Sequence, residues 1–390
     1  MEKTDCGHDQ CPQFRIHSGS SLLVHIFIVL WAACRVGVAP AAEFAIPPPG
    51  SNMIGSLRVV TLANPNTTLL DIARRFDLGY HEITAANPTI SAWVPKVGTK
   101  VIIPAEFILP PGPQEGIVVN IPQRRLFYFT HQSGAKGKLA QVITFPVSIA
   151  RAGWKTPLGL TRITAMHQDP SWFVPNSIRA EHVLEGEVEF PTYFPPGPDN
   201  PMGMLALQTG FPGIFIHGTN RPWGVGMRVS HGCLHLYPED AAYLFSRVKV
   251  GTPVRFIDQP HTVGLRDGVL YLSSSELVGE YPNELSPASR ADEALLYYQS
   301  THFSSAPTQL GIDWPRVSEV AMAHRYMPIP VSRGAPKLDQ MLESIIPEPY
   351  DFEPYGDSAN NGIPPAEFEP AAPYPQQGDA EVSRTTPTQP

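Results

Sequence analysis

Apolar and polar positions divide this chain into stretches with different periods. His17 to Ser21 is polar and Leu22 to Ala33 is nearly continuous apolar sequence, broken by His25; Val38-Ala39-Pro40-Ala41-Ala42 follows. That run is short for a bilayer and is followed by small residues of A-x-A type, so residues 1–42 are expected to be an export signal cut after Ala41 or Ala42. An uncleaved anchor, or a lipoprotein site at Cys34, is the alternative. Residues 43–55, with Ile46-Pro47-Pro48-Pro49-Gly50, are expected to be a linker. At 56–105 the period changes twice. Leu57 to Leu62 reads as a strand, and Thr68 with Asp71 forms a capping box ahead of Leu69, Ile72, Ala73 and Phe76 at helical spacing. Ile83 and Ala86 mark a second helix stopped by Asn87-Pro88, and Lys100 to Pro104 reads as a closing strand.

From 115 to 258 short strand patterns dominate: 116–121, 125–129, 141–147, 159–164, 213–217 and 252–257. One helix interrupts them, led by Pro238-Glu239-Asp240. The expected fold is mainly β, a sandwich or barrel-like domain beside a small βααβ unit. Residues 259–327 are expected to pack on it, with a hairpin turning at Arg266-Asp267-Gly268 and helices near 286–300 and 313–325. From 328 to 390 prolines and acidic residues recur, which predicts a disordered tail.

Composition changes this picture little. The chain has 390 residues, 44 prolines and a formal charge of −8. That charge gives no electrostatic footprint for nucleic acid. The cysteines matter more. Cys6, Cys11 and Cys34 precede the expected cut, which leaves Cys233 unpaired in an exported protein. An unpaired thiol in an oxidising compartment is either an inert buried group or a used one.

The segment IFIHGTNRPWGVGMRVSHGCLHL favours use. His217 ends an apolar run, and Ser230-His231-Gly232-Cys233 follows a glycine-punctuated loop. A thiol nucleophile needs a base, which His217 can supply. The Gly232 and Cys233 N–H groups could face an oxyanion, and the helix at Pro238 could add its positive end. His217, His231, Cys233 and His235 also form a conceivable zinc set, but their close spacing is unlike that of structural zinc sites; no metal or other cofactor is expected.

IHGTNRPWGVGMRVSHGCLHLYPED, with GWKTPLG (153–159), PNSIRAEH (175–182) and PPGPDNPMG (195–203), resembles the signature of the L,D-transpeptidase family with a YkuD-type catalytic domain. TLLDIARRFDLGYHEITAANP followed by VGTKVIIP resembles a LysM module, with Asn66-Thr67 where Gly-Asp is common. Together they resemble the periplasmic Gram-negative branch carrying an N-terminal LysM unit. The resemblance implies Cys233 as nucleophile, His217 as proton carrier, and His231 and Gly232 as supporting catalytic residues. It implies Ser230, His235, Gly218 and Thr219 as substrate-binding residues, with His235 replacing the family's usual arginine. It further implies attack on a tetrapeptide stem of peptidoglycan with loss of D-alanine, then transfer to a second stem or to the C-terminal lysine of an outer-membrane lipoprotein. Hydrolysis by a carboxypeptidase or amidase, and a non-catalytic wall-binding protein peripheral to the membrane, are the competing readings.

Overall fold

The computed structural model describes residues 42–131, 139–186, 189–279, 285–302 and 311–355. Residues 1–41 of the expected export signal, with Cys6, Cys11 and Cys34, lie outside the described residues, as do positions 356–390 of the expected tail. Among the described residues no helix is long and apolar enough to cross a membrane.

A nine-stranded mixed sheet organises the protein. Its order is Ala42–Ala45, Leu139–Pro146, Arg125–His131, Gly116–Asn120, Pro253–Ile257, Gly159–Gln168, Leu205–Thr209, Phe215–His217 and Leu234–His235. Neighbours run antiparallel except at two places: Gly116–Asn120 with Pro253–Ile257, and Phe215–His217 with Leu234–His235. The run GIVVN is buried at every position, because both faces of its strand are covered. Ile117 and Val119 join one core with Phe145, Ile216, Leu234 and Leu244. Val118, Phe127 and Val142 join another with Leu69, Ile72 and Ile83.

That second core belongs to the βααβ unit. Arg58–Leu62 pairs antiparallel with Lys100–Ile103, enclosing helices Leu69–Arg75 and Tyr80–Ala86. Thr68 and Asp71 cap the first helix reciprocally: the Thr68 hydroxyl accepts from the Asp71 N–H at 3.1 Å, and the Asp71 carboxylate accepts from the Thr68 N–H at 2.9 Å. The unit is fused to the large sheet rather than tethered. Arg125, fully buried on the sheet, donates twice to Glu82 at 2.6 Å and to the Asp77 carbonyl at 2.7 Å.

The hairpin forms as the turn residues predict. His261–Arg266 pairs with Val269–Ser274, and Asp267 and Gly268 both have positive φ, at 51° and 76°. Helices Pro287–His302 and Trp314–Ala323 pack around it.

Two expectations are overturned. The 43–55 segment is not a plain linker: Ala42–Ala45 adds to the edge of the large sheet and Met53–Gly55 pairs with Glu106–Ile108. Nor does a disordered tail begin at 328. Ile329–Pro330 pairs with the hairpin, Leu338–Glu343 is helical, and Glu348–Tyr350 lies parallel to Arg58–Leu62 with the Tyr350 ring buried. In both segments, pairing distant in sequence overrides a proline-rich local composition.

Removing one partner of a buried ion pair leaves the other charge unsatisfied, costing about 3–5 kcal/mol. Glu82→Ala is therefore expected to destabilise the fold on that scale, whereas Arg58→Ala, at the solvent-screened pair with Glu348, should shift stability far less. Denaturant midpoints of the two variants check the contrast.

Candidate active site

Alternation on two short strands builds the site. Ile216 pairs with Leu234 and His217 with His235, in parallel register. Ile216, Leu234 and Leu236 turn into the core. With a period of two, Phe215, His217, Cys233 and His235 share the opposite face. The Cys233 sulfur accepts the Phe215 N–H at 3.4 Å and donates to the Gly213 carbonyl at 3.4 Å. The His217 and His235 rings stand 4.7 Å apart, centroid to centroid. Leu236 N–H closes on the His217 carbonyl at 2.8 Å, fixing the register beyond the histidines.

Two neighbouring segments tie the cysteine turn down. Arg228–Ser230 lies parallel to Ile149–Ala150, and Ser148 N–H donates to the His235 carbonyl at 3.0 Å. The buried Ser230 hydroxyl donates to the Cys233 carbonyl at 2.5 Å and accepts from Gly232 N–H at 3.2 Å. The Gly232 N–H, expected to face an oxyanion, is instead engaged by Ser230. Gly232 itself has φ 121°, and a Cβ there would lie 3.0 Å from Ile214 Cδ1. Thr156 donates to its carbonyl at 2.8 Å, which accounts for one residue of the GWKTPLG block.

His217 is buried, and its Nδ1 hydrogen-bonds to the Gly218 carbonyl at 2.6 Å. Burial pulls its pKa down to about 4, opposed by that bond and by the backbone of Met202. Burial pushes the Cys233 thiol up to about 11, with the Phe215 N–H acting in the other direction. His235 is held well below the ordinary histidine range, chiefly by burial and then by His217 and His231. At neutral pH the resting site is therefore an uncharged thiol among uncharged imidazoles.

The other expected residues divide. Gly218 supplies the carbonyl that orients His217, and its N–H donates to Leu205. Thr219 is buried and its hydroxyl accepts from Arg221 N–H at 3.0 Å, so it shapes a turn. The first turn of helix Pro238–Phe245 faces the βααβ unit. Its Glu239 pairs with Arg74 at 2.7 Å, while burial raises the Asp240 pKa well above the ordinary carboxylate range. Among the described residues no three His, Cys, Asp or Glu side chains are arranged to hold a metal ion. His231 instead meets Glu181 Oε2 through Nε2 at 2.9 Å.

Sequence reasoning assigned no role to Glu181, Trp154, Asn200 or Met202. Glu181 stands on helix Asn176–Leu184, carried by the insertion whose short strands Trp172–Phe173 and Tyr193–Phe194 pair with each other. Asn200 is buried and clasps the same insertion, donating to the Pro170 carbonyl at 2.8 Å and the Pro195 carbonyl at 3.0 Å. The motif blocks contain these residues, but no local periodicity points to them.

With the thiol near 11, alkylation of Cys233 by iodoacetamide is expected to accelerate about tenfold per pH unit between about pH 7 and 9. A plateau below neutrality would instead reveal a preformed thiolate–imidazolium pair.

Comparisons with known proteins agree on the family. Residues 114–256 match the YkuD family model, described as an L,D-transpeptidase catalytic domain. The probable L,D-transpeptidase YbiS of Escherichia coli K12 is 38% identical over 224 residues, 57% of this chain and 71% of that protein. The probable L,D-transpeptidase ErfK/SrfK of Salmonella typhimurium is 33% identical over 301 residues, 76% of this chain and 94% of that one. Among solved structures, an Enterococcus faecium L,D-transpeptidase aligns at TM-score 0.27 and 19% identity over 37% of this chain and 50% of its own. On these sequence relationships, the chain belongs to the L,D-transpeptidase family.

Proposed function

We propose that the protein is a periplasmic cysteine acyltransferase acting on peptidoglycan. The observation that carries this is the placement of Cys233 and His217 on one face of two paired strands, with the His217 ring oriented by a carbonyl. Cys233 Sγ attacks the carbonyl at the L-centre of meso-diaminopimelate in a tetrapeptide stem. His217 takes the thiol proton as the C–S bond forms, then returns it to the departing D-alanine amine. Because the resting thiol is uncharged, proton transfer accompanies attack rather than preceding it. The Cys233 N–H is the proposed oxyanion donor, with Ser230 and Gly232 holding the turn in shape.

The acyl group then passes to an amine. A lipoprotein C-terminal lysine would anchor that protein to the wall; a second stem would give a 3→3 cross-link; water would give hydrolysis. The βααβ unit, whose sequence resembles LysM, is assigned to the glycan strand. At His235 a neutral ring stands where the family's arginine would supply a permanent charge, so contacts to a substrate carboxylate are weaker there.

Cys233→Ala is expected to abolish covalent adduct formation with a carbapenem, read by intact mass. His217→Ala should slow adduct formation on the order of 10²- to 10⁴-fold. Retention of adduct in Cys233→Ala would overturn the nucleophile. Incubation with tetrapeptide muropeptides, with and without a lysine-terminated lipoprotein, identifies the acceptor by product mass.

A further inference from the structure

Two histidines lie near Cys233, His217 across the strand pairing and His231 two residues upstream, and their rings are oriented by different groups. His217 is held by a neutral carbonyl. His231, two residues before Cys233, is held by a carboxylate: Glu181 Oε2 lies 2.9 Å from Nε2. The same oxygen accepts Trp154 Nε1–H at 2.9 Å, and the Trp154 and His231 rings meet edge to face at 4.7 Å and 88°. These contacts fix the ring plane. A carboxylate can only accept, so Nε2 carries the proton and Nδ1 keeps its lone pair. A fixed imidazole with one nitrogen held by a carboxylate and the other open is the arrangement of a general base with its orienting group.

Resting on the acyl-enzyme reading above, we propose that His231, positioned by Glu181 from the insertion helix, is the base for the second half of the reaction and accepts the proton of the incoming amine. As the amine nitrogen bonds to the thioester carbonyl, His231 takes one N–H proton. The C–S bond then breaks and that proton passes to the departing Cys233 sulfur, restoring the thiol. His217 would serve the first half and His231 the second. The division suits two substrates that approach the thioester at different times. It also makes transfer depend on the insertion being seated, because Glu181 belongs to that segment and not to the sheet.

The charged and titratable groups facing His231 are few. Glu181 raises its pKa, while burial, the dominant influence, lowers it, as do Arg151 and His182. Arg151 lies 3.6 Å from Glu181 and 2.7 Å from Glu185, and the His182 ring centroid is 6.3 Å from that of His231. His235 is coupled to the same ring. Glu181→Gln removes the one influence from a side chain that favours the imidazolium, so the acid limb of the transfer step should move to lower pH.

The test uses the full chain and separates the halves. Acylation is timed by carbapenem adduct mass. Transfer from a tetrapeptide donor is timed to two amines that both shed an N–H proton: a lysine-terminated peptide, an ammonium near pH 7 that depends on a base, and hydroxylamine, neutral near pH 7 and, once bonded, acidic enough at nitrogen to give its proton to water. Glu181→Gln and His231→Gln should lose transfer to lysine at least about tenfold more than they lose acylation or transfer to hydroxylamine. Glu181→Asp should recover part of the lysine activity. Thermal melting of each variant shows that it is folded. Equal losses with both amines, or lysine transfer at the wild-type rate in Glu181→Gln, would overturn the proposal. Carbapenem adduct retained in Cys233→Ala would instead remove the acyl-enzyme on which it rests, a distinct result.

Discussion

The parallel pairing of Phe215–His217 with Leu234–His235 is two residue pairs long, and the chemistry depends on it. Side chains on a strand alternate, so a slip of Leu234–His235 by one residue would send Cys233 and His235 into the core and expose Leu234. The register is therefore held from both directions. Core burial of Ile216, Leu234 and Leu236 disfavours the slip, and Ser148, Leu236 and Ser230 fasten the backbone on either side of the cysteine. A short edge pairing has little strength of its own; its geometry is imposed by the nine-stranded sheet behind it.

That placement sets the electrostatics. Burial that fixes the cysteine also raises its pKa, while burial of His217 and His235 lowers theirs. A thiol kept protonated resists adventitious oxidation, since the thiolate is the reactive form. The same burial means that activation requires a base in contact at the moment of attack. The Gly218 carbonyl fixes the orientation of the proposed base His217, and Gly218 belongs to the turn that starts the loop back to Ser230.

Much of this was legible in the sequence where local rules decide. Asp267-Gly268 demanded positive φ and made the hairpin; Thr68-Asp71 demanded a cap and made the helix start. The HGC triplet with an upstream histidine pointed to the family, which the sequence relationships show. What was not legible depends on contacts distant in sequence. Ala42–Ala45 and Glu348–Tyr350 are strands only because an open sheet edge receives them. Ser230 was expected to meet substrate, but its hydroxyl is spent on the turn. Glu181 lies fifty positions from His231, and no spacing rule connects an exposed-looking helix to a loop that far away.

The βααβ unit joins the rest by direct packing. A binding module on a linker would tether the enzyme and leave its site untouched. Here the unit grips the segments on both sides of Cys233. Tyr80 N–H donates to the Val225 carbonyl at 2.9 Å, and a Cβ on Gly226 would lie 2.6 Å from Gly79 Cα. Tyr237 Oη donates to the Leu78 carbonyl at 3.0 Å, and Arg74 pairs with Glu239 just beyond it. The loop entering the cysteine turn and the helix leaving it thus rest on one rigid body, itself anchored through Glu82 to the buried Arg125. The βααβ unit and the cysteine segments are thus packed together, and the contacts at Gly226 and Tyr237 are where they join.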